Sequence, residues 1–321
     1  MTPAELSRTV RHAVCRAVED GALRVDVPAA EGVKIERPRP GGCGDYATGV
    51  ALRLARQAGR PAAEVAEAIR QRIAGNHGIA NVEVTGPGFL NFTLHSSAQE
   101  QLVRRVLREG VRYGAPRQTG GSGPFPHVDE QRARVWADTL VRLGAEPSPG
   151  ESVRVMPVGD QDVAERLGQD AARWALLAAA AHDRPRTDAG LLVQHERNPL
   201  YKVRYAHARA RALTRNAERL GFRSAPGPHV DALAVTPTLT AAVGDHPAVV
   251  ADAARLRAPD RLARHLEVTA EALLSFQCTV LPVGDEKPSA AHRSRLALAE
   301  AAGTVLAGGL SLLGISAPEH L

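Results

Sequence analysis

Asn198–Leu213 reads NPLYKVRYAHARARAL. Asparagine followed by proline supplies an N-cap and a first-turn proline, so a helix opens here. Leu200, Val203, Ala206, Ala210 and Leu213 recur at helical spacing and make its buried stripe. Tyr201 and Tyr205 stand at i and i+4 on another face, which Asn198 and Arg209 extend by a turn at each end. Lys202, Arg204, Arg211 and Arg215 surround the two tyrosines. Two aromatic rings among cations suit stacked bases and neighbouring phosphates. The plainer reading packs Tyr201 into a helix bundle and leaves only Tyr205 accessible.

Outward from this helix the pattern is almost wholly helical. Val163, Leu167, Ala171, Trp174 and Ala178 recur at helical spacing, and runs at about 240–256, 259–276 and 289–313 complete a bundle. A short helix around Val135 to Leu143 and a strand-like piece, Val153–Val158, precede it. Gly114 to Pro126 is rich in Gly, Pro, Ser and Thr and reads as a linker. Before the linker the texture changes. A helix capped at Thr2-Pro3 carries the stripe Leu6, Val10, Val14 and Val18. Strand-like alternation follows at Val25 and Val27, then at Val33 and Ile35. Tyr46 to about Gln57 reads as helix and stops at Gly59, and a second helix places Val65, Ile69 and Ile73 on one face. Val82 and Val84, a Gly86-Pro87-Gly88 turn, and Leu90, Phe92 and Leu94 read as a hairpin. A helix with Leu102, Val106 and Leu107 inward closes the unit. The expected fold class is α+β: a small mixed α/β domain followed by an all-α helix bundle.

Composition narrows the function classes. The chain has 321 residues with 44% hydrophobic but only 3% aromatic content, so Ala, Leu and Val must fill the cores. Net charge is +5 and the sequence pI is near 9.5. Lys34, Lys202 and Lys287 are the only lysines; the remaining positive charge is arginine, the better fork for bidentate phosphate contacts. Cys15, Cys43 and Cys278 have neither zinc-ligand spacing nor a disulfide framework, so a reducing cytoplasm is the expected setting. No long uncharged apolar stretch and no signal-like N-terminus is present, and no membrane association is expected. The twelve histidines show no HExxH-type spacing. GLSLLG at Gly309–Gly314 is not GxSxG, and GGCGDYATG at Gly41–Gly49 lacks the Gly-Lys-Ser/Thr ending of a phosphate loop. No catalytic residue, metal or cofactor is expected. His207, on the tyrosine helix, reads as a helix-surface or RNA-contact residue.

GPGFLNFTL, Gly86–Leu94, offers a second surface. Phe89, Asn91 and Thr93 share one face of a strand, and Leu90, Phe92 and Leu94 share the other. Burying the second set leaves Phe89 and Asn91 outward, an aromatic platform beside an amide, suited to an unstacked base in an RNA loop.

YKVRYAHA at Tyr201–Ala208 and the closing GISAPEHL resemble the helix that opens the anticodon-binding domain of arginyl-tRNA synthetases and that domain's C-terminus. ERPRPGGCGDYATGVALRLA at Glu36–Ala55, with GPGFLNFTL, resembles the same enzymes' N-terminal additional domain. The resemblance implies that Asp45, Tyr46, Phe89 and Asn91 belong to a surface that reads the tRNA D-loop. It implies equally that Asn198, Tyr201, Lys202, Tyr205, Arg209 and Leu321 face the anticodon loop. Three departures stand out: Cys43-Gly44 where His-Gly is usual, Ser275–Val283 in place of an aromatic-Asn-Asn run, and Leu321 in place of methionine. It also frames what is missing. These enzymes carry a Rossmann-type catalytic domain with HIGH-like and KMSK-like ATP signatures. PHVDEQRARVWADTLVRLGAEP and VRVMPVGDQDVAERLGQDAARWALL resemble only its last portion, and Met156-Pro157-Val158-Gly159 sits where KMSK is expected.

The implied organisation is 1–112 as the D-loop-reading domain, 113–160 as linker and catalytic remnant, and 161–321 as the anticodon-binding domain. The implied function is non-catalytic binding of tRNA, an arginine tRNA above others. A full-length synthetase or an arginyl-tRNA-using enzyme would be a further partner. Two alternatives stay open: a protein-interaction module that grips a synthetase or biosynthetic enzyme, and a subunit of a split arginine-tRNA ligase completed in trans.

Overall fold

The computed structural model describes residues 3–29, 32–36, 38, 43–73, 75, 76, 78–94, 96–116, 124–159, 162–227 and 236–321. The Thr2 cap, Gly41, Gly42 and most of the linker lie outside the described residues. The chain divides into two compact units, Met1–Leu102 and Val103–Leu321.

The first unit is a small sheet with helices. α1 (Pro3–Glu19) buries Leu6, Val10, Ala13, Val14 and Ala17. β1 (Tyr46–Thr48) leads into α2 (Val50–Ala58), and α3 (Ala62–Ile73) buries Val65, Ala66, Ile69 and Ile73. β2 (Ile79–Thr85) and β3 (Phe89–Leu94) form the hairpin read from the Gly-Pro-Gly turn. Among the described residues the sheet order is β1-β3-β2, antiparallel throughout, with Tyr46 opposite Phe92 and Glu83 opposite Asn91. Tyr46, Val50, Leu54, Leu90 and Phe92 join the α1 and α3 stripes in one core.

Two readings of this unit are corrected. Tyr46-Ala47-Thr48 is a strand, and the helix begins only at Val50. Apolar residues at near-helical spacing in YATGVALRLA concealed a three-residue strand that needs β3 to exist. Val25/Val27 and Val33/Ile35 form no regular strand; Val25 and Val33 anchor loops to the core, and Glu36 makes one isolated bridge to Ala47. Pro28 and Gly32 interrupt runs already too short to pair.

In the second unit, α4 (Ser96–Glu109), which spans the division, leads through a 3₁₀ turn to α5 (Gln131–Arg142) and α6 (Val163–Ala178). α7 (Pro199–Arg219), α8 (Thr236–Arg255), α9 (Pro259–Phe276) and α10 (Ala290–Leu312) complete it. The fold class is α+β with an all-α bundle at the C-terminal side. Val103 is buried in α4 where Leu107 was expected. Val153–Val158 is not a strand but one parallel bridge, Val153 to His127. α6 is broken at Gly168, whose φ of 74° and ψ of 164° no helix accommodates and which glycine adopts without a Cβ penalty.

α10 carries AEAAGTVLAGGL, and its small residues let neighbours close in. A Cβ on Gly303 would lie 2.7 Å from the Ala210 Cβ of α7, and one on Gly309 would collide with Leu266 of α9. Ala206 and Ala210 of α7 complete this close approach. With few aromatics, density comes from helix proximity rather than from large side chains.

The segment before the bundle is held by a buried arginine. Arg132 of α5 is fully buried and donates to the carbonyls of Leu176, Ala179 and Ala180 at the end of α6, and to those of Met156 and Asp183. Its guanidinium lies 5.5 Å from the Trp136 ring, and Trp136 Nε1 donates to Leu176 as well. The arginine thus caps a helix C-terminus, where carbonyls are unsatisfied and cations favoured.

Candidate nucleic-acid interface

α7 starts as expected from its cap. The Asn198 side chain accepts from Tyr201 N at 3.2 Å, and its amide donates to Leu191 and Val193 carbonyls at 2.7 and 3.0 Å. Both amide donors and an acceptor site of Oδ1 are spent on folding, and the residue is buried. Asn198 therefore fixes the helix start and does not extend an exposed face, which is a correction. Tyr201 and Tyr205 do form a ledge: their rings stack 5.7 Å apart at 20°, Tyr201 half-buried and Tyr205 36% exposed.

The cations around this ledge already have partners. Arg209 Nε donates to Gln277 Oε1 at 2.8 Å, in the segment where the resemblance expects an aromatic-Asn-Asn run. Arg204 pairs with Asp170 and donates to the Ser316 carbonyl at 3.2 Å. Burial works against the Asp170 charge, but hydrogen bonds from Ser316 and the Arg204 guanidinium hold its carboxyl below the usual range. Arg211 meets Glu319 at 3.0 Å, and Arg215 lies 3.5 Å from His320 Nδ1. Lys202 is half-buried and faces Glu267 of α9, whose carboxyl is raised by burial against the pull of Lys202 and Arg264.

Beside the ledge lies an open cleft of about 390 Å³. It is lined by Gly168 and Asp170 at the α6 break, Leu192 and Val193, Tyr201, and exposed Leu321. Its size falls within the range of small-ligand sites. The α6 break forms part of its wall, and spacing in the sequence gave no sign of that.

His207 is not on the surface. It is buried between α7 and α10, with Nδ1 donating to the Gly303 carbonyl at 3.1 Å, and burial lowers its pKa. Its i+4 relation to Val203 and Leu200's stripe could have placed it inward.

In the first unit the surfaces separate. Phe89 is 41% exposed and lies against Gly49 at the β1–α2 corner. Asn91 is only 5% exposed; its amide donates to Thr85 Oγ1 at 2.6 Å. The outward reading of Asn91 is corrected: β3 is the central strand, and Asn91 is drawn against its diagonal neighbour across the hairpin. Asp45 Oδ2 accepts from Leu94 N at 2.8 Å and closes the end of β3. Tyr46 is a core ring.

Among the described residues no group of three or more His, Cys, Asp or Glu is placed to hold a metal. Nor is any described helix long and apolar enough to cross a membrane.

Two family models match the sequence: an arginyl tRNA synthetase N terminal domain over residues 4–94 and a DALR anticodon binding domain over residues 203–321. The stretch between them is matched by neither. An arginine–tRNA ligase of Frankia alni is 25% identical in an alignment of 554 positions spanning 100% of both chains. With 321 residues, this chain leaves many of those positions empty. The arginyl-tRNA synthetase of Thermus thermophilus superposes with a TM-score of 0.63 at 14% identity, covering 100% of each chain. That of Plasmodium falciparum gives 0.68 at 9%, covering 99% of each. At such identities the likeness shows the fold alone. A synthetase-type N-terminal domain and a synthetase-type anticodon-binding domain are thus the two recognisable parts of the molecule. The chain belongs to the arginyl-tRNA synthetase family.

Proposed function

We propose that this protein binds tRNA, arginine tRNA above others, without aminoacylating it. The observation that carries this reading is the stacked Tyr201–Tyr205 ledge, set among arginines on α7, where the match to an anticodon-binding domain begins at residue 203 and takes in Tyr205. Aromatic faces stack unpaired bases and guanidinium groups meet phosphates, so such a surface suits a single-stranded loop. Leu321 beside the cleft offers an apolar contact to a neighbouring base. In the first unit Phe89 is the platform for a D-loop base; Asn91 would join it only by giving up Thr85.

The non-catalytic half of the reading rests on the segment where the resemblance expects KMSK. Met156-Pro157-Val158-Gly159 contains no lysine to hold a triphosphate. Met156 donates from its backbone N to the Ala181 carbonyl at 2.7 Å, and its own carbonyl accepts from Arg132. An adenylate-forming site needs cations and helix N-termini around the phosphates; here the nearby backbone and the buried arginine are committed to each other.

A protein-interaction role is the second reading, favoured by the engagement of Arg204, Arg209 and Arg211 with protein groups. The deciding experiment measures the affinity of the purified protein for arginine tRNA and for a non-cognate tRNA across a salt series. Selective binding near physiological salt supports the tRNA reading. Weak, unselective binding that vanishes with salt rejects it in favour of a protein partner.

A further inference from the structure

We propose that the segment Ile315–Leu321 is an internal latch over the basic face of α7, and that an RNA backbone docks there by exchanging its phosphates for the latch's own groups. This rests on the tRNA-binding reading and adds a regulated step to it. Arg204, Arg211 and Arg215 stand at i, i+7 and i+11 and so share one helix face. Each is met by the same short segment: Arg204 by Ser316, Arg211 by Glu319, and Arg215 by His320.

The two ends of the segment differ in how firmly they hold. At Ser316, the hydroxyl donates to Asp170 at 2.6 Å and the backbone N donates to the same carboxylate at 3.2 Å. Arg204 and Asp170 are there only 20% and 29% exposed. Ile315 beside them is buried. This end is an anchor. At the other end Arg211 and Glu319 are 46% and 53% exposed, and the Arg215 contact with His320 is long at 3.5 Å. An exposed ion pair of this kind is weak and readily exchanged in water. Glu319 therefore stands on Arg211 where a phosphate would, one carboxylate in place of one phosphodiester. Nothing needs to unfold for the exchange, since the anchor stays in place.

The test is Glu319→Gln, which removes the carboxylate charge and keeps the shape of an exposed side chain. Binding of arginine tRNA and non-cognate tRNA transcripts is measured against salt for the wild type, for Glu319→Gln, and for Asp252→Asn. The last variant removes the carboxylate charge from a similarly exposed pair with Arg255 on α8 and controls for the change in net charge. The latch predicts roughly two- to fivefold tighter binding of both transcripts by Glu319→Gln at roughly 0.1 M salt. It also predicts a log K against log salt slope steeper by about 0.7, the value for one phosphate of a single strand. The gain is equal for the two transcripts because phosphate contacts carry no sequence information. If Glu319→Gln changes nothing while the wild type binds selectively, the latch is wrong and the tRNA reading stands. An equal gain in Asp252→Asn also overturns it. If neither the wild type nor Glu319→Gln binds either transcript at low salt, both readings fall.

Discussion

Tyr205 and His246 show how differently two aromatic residues of the bundle are used. Tyr205 presents its ring to solvent over the half-buried Tyr201. Its replacement by alanine should weaken tRNA binding by about 1–3 kcal/mol, the usual loss of one stacked base. A filter-binding measurement on a variant with unchanged helix content checks this. His246 of α8 is fully buried, 6.2 Å from the Tyr113 ring and 5.5 Å from that of His265. Neither of its ring nitrogens has a hydrogen-bond partner among the described residues. Burial, with His265 adding to it, pushes its pKa from 6.5 down to about 3. The folded state thus holds the neutral ring while the unfolded chain takes up a proton below pH 6.5. Stability from this residue is complete above that pH and falls as pH drops toward 3, by about 1.4 kcal/mol per unit at most. Urea unfolding between pH 7 and 5 should show a slope that His246→Leu reduces, the remainder coming from groups such as buried His207.

Helices were far more legible in the sequence than the contacts that fix them. α7 could be read from its Asn-Pro cap and its apolar period, both local signals, and α9 and α10 from period alone. The β2–β3 hairpin declared itself through Gly86-Pro87-Gly88. β1 did not, because three residues carry too little pattern to outweigh a helix-like run behind them. The surfaces were half legible. The tyrosine spacing gave the ledge. His207 was misplaced although its spacing from Val203 set it on the buried stripe, and Asn91 because a neighbour in space, Thr85, decides its environment. Arg132 was invisible in the sequence for the same reason, since its acceptors lie 24 to 51 residues away. Replacing it with methionine takes a donor from five carbonyls, of which Leu176 keeps Trp136 and Ala180 keeps the Asp183 backbone N–H. Arg132→Met should cost about 3 kcal/mol or more, measured as a lowered midpoint in chemical denaturation.

As a whole, the chain matches a synthetase N-terminal domain over residues 4–94 and an anticodon-binding domain over residues 203–321, with neither model matching the stretch between. The two compact units each have their own core, so neither relies on a Rossmann sheet for burial. Mixed with arginine, ATP and arginine tRNA, the protein should give no pyrophosphate exchange above background. A measurable rate would overturn the non-catalytic reading, and a rate that appears only with a second protein would mark a split ligase. The tight seam along α10 has a further consequence, for how such a protein can change over generations. Because an added methyl group would press on the Ala210 Cβ at Gly303 and on Leu266 at Gly309, a substitution there costs about 1–3 kcal/mol of overpacking and is selected against. Exposed positions such as Tyr205, Glu319 and Leu321 carry no such veto. Drift is therefore steered outward: the scaffold stays frozen while the face it presents is free to acquire new preferences.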